Sequence, residues 1–70
     1  MNLTELREQA ALSIPELARK AEVDAQTIRN AEEGKRISAR VARQIAGALT
    51  KALDNRSIKV RDIDGLNVRL

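Results

Sequence analysis

The chain of 70 residues contains no cysteine, no histidine and no aromatic residue. Without cysteine there is neither a disulfide framework nor a thiolate site. Without histidine, zinc, copper and haem lose their usual nitrogen ligand, so no metal or other cofactor is expected. Nucleophilic catalysis needs a base beside a serine, threonine or cysteine, and no such pairing is offered, so the chain is not read as an enzyme. The lack of aromatics also removes the stacking platforms by which single-stranded RNA is usually held. Breakers are scarce as well, being Pro15, Gly34, Gly47 and Gly65. No apolar run approaches the ~20 residues of a membrane span. The start, Met1-Asn2-Leu3-Thr4-Glu5, lacks the cationic and apolar stretches of a signal peptide. The chain reads as soluble and cytosolic.

What remains is alanine, leucine, isoleucine and valine, a composition suited to short helices packed closely. Residues 1–70 are read as one domain, too short for a second core. A core of this size rarely supplies more than about 3–5 kcal/mol, so regular packing, oligomerisation or both must hold it. The net charge of +3 is unevenly placed: residues 1–33 carry 4 Lys/Arg and 7 Asp/Glu, a net −3, and residues 34–70 carry 9 and 3, a net +6. Such asymmetry fits an acidic partner met by one part of the surface, and equally a solvated helical face.

Leu3, Leu6 and Ala10 recur at helical spacing and predict a first helix over residues 2–11. Ser13 and Glu16 form the capping-box pattern S-x-x-E, with Pro15 in the first turn where its missing amide costs nothing, and a second helix is expected over residues 14–21. Its buried face is Leu17, Ala18 and Ala21. Asp24 caps a third helix running to Glu32 or Glu33, with Ile28 and Ala31 inward, Val23 packing from the turn and Gly34 ending it. Ser38 caps a longer fourth helix along the stripe Val41, Ala42, Ile45, Ala48, Leu49, Ala52 and Leu53. Gly47 inside it marks either close packing or a tolerated cost of up to ~1 kcal/mol. Beyond residue 54, Ile58 and Val60, then Leu66, Val68 and Leu70, alternate with period two. A turn of helix near Asp62–Asp64, ended by Gly65, and then an extended tail are expected.

Two helices joined by "AEVD" make a helix-turn-helix. Ala18 and Ile28 face each other across it, a small residue against a branched one, so the helices cross closely. The second helix then presents Ala25, Gln26, Arg29 and Asn30 outward. Gln and Asn can pair bidentately with adenine, Arg with the O6 and N7 of guanine, and a methyl such as that of Ala25 with thymine. Lys35 and Arg36 follow the helix end, where a cationic loop can hold phosphates, and Thr27 and Arg40 can add to this. A solvated face and helix-dipole complementation are the plainer readings of the same residues. Glu32 and Glu33 are read as structural, Glu32 pairing with Lys35 or Arg36 to position them.

The stretch "LREQAALSIPELARKAEVDAQTIRNAEEGKR" resembles the phage-repressor-like (XRE) helix-turn-helix family, through "LR", "S-x-x-E-L-A-x-K-A-x-V" and "T-I-x-x-x-E-x-G-K-R". The resemblance covers about residues 3–53. It implies an all-α bundle of four or five short helices whose third helix lies in the major groove of double-stranded DNA, usually as a homodimer on a two-fold operator. Glu22 stands where the family has glycine, implying a strained left-handed residue or a different turn. Ile14 replaces a polar DNA-contacting residue, and that role is not carried over. Ala31 stands where a larger apolar residue is common.

"DIDG" does not make a calcium loop, because Asp62 and Asp64 at positions 3 and 5 leave Val60 at position 1 and no glutamate at position 12. The tail offers a strap across the core or a strand of Leu66, Val68 and Leu70 that pairs with a second copy. The leading expectation is a sequence-specific regulator, a repressor acting as a dimer. The alternative is an antitoxin-like module that binds a partner protein through its C-terminal segment, with or without DNA.

Overall fold

The computed structural model describes residues 1–54 and 57–69. Helices α1 (Leu3–Gln9), α2 (Ile14–Ala21) and α3 (Ala25–Glu32) are followed by strand β1 (Arg36–Ser38), helix α4 (Ala39–Ala52), a 3-10 turn (Val60–Asp62) and strand β2 (Asn67–Arg69). All four helices start where a side chain satisfies an amide that the helix itself leaves free. Ser13 Oγ accepts from the Glu16 amide at 3.2 Å while the Glu16 carboxylate accepts from the Ser13 amide at 2.8 Å. Asn2 and Glu5 repeat this reciprocal cap on α1, both bonds being 2.9 Å. Asp24 caps α3 through the Gln26 amide at 2.9 Å, and Ser38 caps α4 through the Val41 amide at 3.1 Å.

The first three helices also end alike. Ala11 (φ 57°), Glu22 (φ 59°) and Gly34 (φ 80°) are left-handed, and the next amide in each case reaches back five residues: Leu12 to Arg7, Val23 to Ala18 and Lys35 to Asn30, at 3.1, 2.9 and 2.9 Å. This is the Schellman closure, which uses carbonyls that would otherwise be orphaned. Leu12 and Val23 then turn under and pack against the core. Only Gly34 holds this backbone without a Cβ penalty; at Ala11 and Glu22 the conformation costs on the order of 1 kcal/mol. The expected strain at Glu22 is therefore present. The first helix is shorter than the expected 2–11, because Ala10 caps it and Ala11 leaves the right-handed region.

The core joins Leu3 and Leu6 of α1, Leu17, Ala18 and Ala21 of α2, Ile28 and Ala31 of α3, and Ala42, Ile45, Ala46, Ala48 and Leu49 of α4. Ile37, Ile58 and Ile63 close it from the strand and the returning chain. Gly47 is not a close-packing glycine: it is exposed, and a Cβ there would meet nothing within 4 Å.

The C-terminal segment is a strap with its own strand. After α4 the chain returns along the helix, anchored where Thr50 Oγ1 accepts from the Ile58 amide at 2.9 Å and lies 2.9 Å from the Ala46 carbonyl and 3.1 Å from that of Ile58. The helical turn falls at Val60–Asp62, two residues earlier than expected, with the Asp62 carboxylate accepting from the Lys59 amide at 2.9 Å. Gly65 (φ 81°) redirects the chain, and β2 pairs in parallel with β1: Arg36 with Asn67, Ile37 with Val68 and Ser38 with Arg69. A second parallel bridge joins Asn2 to Asp64. Residues 35–38 were expected as a loop and cap, so β1 is a correction; a parallel partner 31 positions away leaves no local pattern.

Replacing Glu22 or Ala11 by glycine is expected to stabilise the fold by about 0.5–1 kcal/mol each, through relief of the left-handed Cβ. Gly47→Ala should stabilise by up to about 1 kcal/mol, and Gly34→Ala should destabilise by a similar amount. Urea denaturation of the four variants measures these effects, and a gain at Gly34 would contradict the closure described.

Candidate nucleic-acid interface

The pair α2–α3 is built around small residues. Ala18 and Ala21 of α2 are buried with Ile28 and Ala31 of α3, and Val23 packs from the turn between them. Without bulk at 18, 21 and 31 the helices approach closely, and the opposite side of α3 is left outside. Ile14 is half-buried and packs against the core.

A second contact fixes the far end of α3. The Arg7 guanidinium of α1 donates to Glu32 through Nε (2.7 Å to Oε2) and Nη2 (3.4 Å to Oε1), and through Nη1 to the Leu12 carbonyl at 3.0 Å. The Thr4 hydroxyl donates to the same Glu32 Oε1 at 2.8 Å. The two charged side chains are only 15% and 13% exposed. Glu32 therefore does not position Lys35 or Arg36, as its sequence spacing suggested. It faces inward to α1, and Glu33 meets Lys35 instead, at 3.2 Å. With side chains 61% and 56% exposed, that surface pair is worth little and yields readily to a phosphate.

On the outward side of α3, Gln26 and Arg29 are exposed and Thr27 and Asn30 are half-buried, whereas Ala25, expected outward, is half-buried and packs against the core. Gln26 Nε2 donates to Asn30 Oδ1 at 3.0 Å, one helical turn apart. That bond uses one of the two Nε2 protons; the other, with Oε1, can still form the two-point contact that adenine offers. Asn30 thus braces Gln26. Among the described residues Arg29 has no carboxylate within 4.0 Å, nor do Arg36 and Arg40. Lys35 lies just past the end of α3, Arg36 is exposed on β1, and Arg40 is exposed in the first turn of α4. These candidate phosphate contacts thus succeed one another along the chain, from the end of α3 to the first turn of α4.

The cap of α2 is also charged. Glu16 is held below the ordinary carboxyl pKa, chiefly by its bond from the Ser13 amide, then by the Ser13 hydroxyl, with smaller help from Arg19 and Lys20 against desolvation. Because the folded value is depressed, this contribution is present above the unfolded carboxyl pKa and is lost as pH falls through the lowered value.

A family model described as helix-turn-helix matches residues 3–54. The chain belongs to this family. Its XRE-type helix-turn-helix makes it, in general terms, a DNA-binding regulator, in a family that is typically non-enzymatic. No curated protein and no solved structure matches the chain. Among the described residues no helix is long and apolar enough to cross a membrane. The helix-turn-helix match ends before the strap and β2, which lie outside the family pattern.

Breaking the inner ion pair should unseat α3. Glu32→Gln leaves the Arg7 charge largely desolvated without a counter-ion and should destabilise by about 2–4 kcal/mol, whereas Arg7→Met combined with Glu32→Leu should recover much of the loss. Chemical denaturation of the single and double variants checks this, and a near-zero effect of Glu32→Gln would contradict it.

Proposed function

We propose that the chain is a sequence-specific transcriptional regulator that acts as a repressor, binding as a dimer with α3 in the major groove of each half-site. The observation that carries this is the outward face of α3, where Gln26, braced by Asn30, stands one turn from Arg29, an exposed cation with no carboxylate within 4.0 Å among the described residues. In this reading Gln26 reads adenine and Arg29 reads guanine through O6 and N7. Thr27, Lys35, Arg36 and Arg40 hold the flanking phosphates, which fix register without reading sequence.

In the same reading the tail strand carries dimerisation. Leu66 and Val68 are half-buried against their own core, so the backbone edge of β2 on the side away from β1, rather than an apolar stripe, is what a second copy would meet. Leu70, the third residue of the expected stripe, lies outside the described residues. The antitoxin-like alternative calls for a tail that orders only on its partner. It has less support, because the strap is already anchored at Thr50, Asn2 and β1.

Selection from a random duplex pool at two salt concentrations tests the proposal. A palindromic motif with a steep loss of affinity in salt is expected. Arg29→Ala should relax preference at one position, and Lys35→Ala should weaken all sequences alike. Equal losses for Arg29→Ala on selected and scrambled duplexes would remove the base-reading role. No binding at low salt would leave a protein-interaction domain.

A further inference from the structure

The strand pairing carries a cation to this interface from beyond the helix-turn-helix. In the parallel register, Arg36, Ser38, Asn67 and Arg69 share the outer face of the two-stranded sheet, all four exposed, while Ile37 and Val68 turn to the core. Arg69 lies beside Ser38, the residue that caps α4, and diagonally from Arg36, two positions along the neighbouring strand. At the other end of the strand, Asn67 Nδ2 donates to the carbonyl of Gly34 at 3.4 Å, at the C-terminal end of α3. The outer sheet face thus borders the end of α3 on one side and the positive N-terminal end of α4 on the other. Among the described residues neither Arg36 nor Arg69 has a carboxylate within 4.0 Å.

We infer that β2 is part of the DNA-contacting surface, with Arg69 holding a backbone phosphate next to those held by Arg36 and Arg40. This rests on the DNA-binding reading of α3 but not on its base contacts. Among the described residues the outer face of the two strands has no apolar side chain to offer a protein partner, and two guanidinium groups flanked by a hydroxyl and an amide suit phosphate oxygens. Folding of the strap would thereby become a condition for full affinity, since Arg69 reaches this position only when β2 is paired.

The test uses the full chain and a duplex of arbitrary sequence, with affinity followed against salt. Arg69→Gln should weaken binding and reduce the slope of log K against log salt by about 0.9, the value of one phosphate contact. Arg69→Lys should restore most of the slope. Lys59→Gln is the control: it removes the same charge from an exposed residue whose neighbour Ile58 is bonded to Thr50, towards the opposite end of α4. It should leave the slope unchanged. Matching thermal melts for Arg69→Gln and wild type confirm that the strand still pairs. If wild type binds and Arg69→Gln keeps its slope, or if Lys59→Gln loses as much, the inference fails alone. If wild type binds no duplex at low salt, the inference and the DNA reading fail together.

Discussion

The ion pair between Arg7 and Glu32 is the contact on which the placement of α3 depends. Glu32 lies in the last turn of α3, where an anion opposes the helix dipole, so it needs a cation supplied from elsewhere. Arg7 supplies it from α1, a helix of seven residues that would be unstable alone. The same guanidinium bonds the Leu12 carbonyl just beyond the left-handed turn, so one side chain joins α1, its exit and the end of α3. With Asp24 capping one end of α3 and Gly34 closing the other, the helix is fixed before it meets any ligand.

The placement of the acids removes an apparent objection to DNA binding. Residues 1–33 are net negative, although they include the helix that would enter the groove. Yet Glu5, Glu16 and Asp24 are engaged as helix caps, and Glu32 is turned inward. Arg29, Arg36 and Arg40 lack such partners among the described residues. The acids mostly build the scaffold and the cations are left to the interface, so the distribution of charge in space says more than its distribution along the chain.

Much of this was legible beforehand where chemistry is local. The Ser13–Glu16 box, the caps at Asp24 and Ser38, the closure at Gly34 and the apolar faces of α2 and α3 stand as their residue types implied, as does the α4 stripe from Val41 to Leu49; Ala52 lies outside the core and Leu53 caps the helix. The misses are non-local or are carried by residues that do not announce their conformation. Alanine at position 11 gives no sign of a left-handed backbone. Three-residue strands joined in parallel across α4 leave no periodicity to read. Glu32 pairs with Arg7, far away in sequence, rather than with the nearby Lys35 or Arg36. A signal was available, because position 32 falls one turn after Ile28 on the buried side, where a charge requires an inward partner. Thr50 is missed for the same kind of reason: its partner Ile58 is eight residues away, across the return of the chain.

The most direct test of the central claim is a titration of the isotope-labelled chain with a duplex recovered by selection, followed by amide and side-chain NMR shifts. The account predicts that the largest changes fall on the side-chain NH groups of Gln26, Arg29 and Asn30 and on the amides of Lys35 and Arg36. Leu17 and Ala18, buried behind α3, should move little. Shifts that spare α3 would contradict the assignment of this helix as the element that reads DNA.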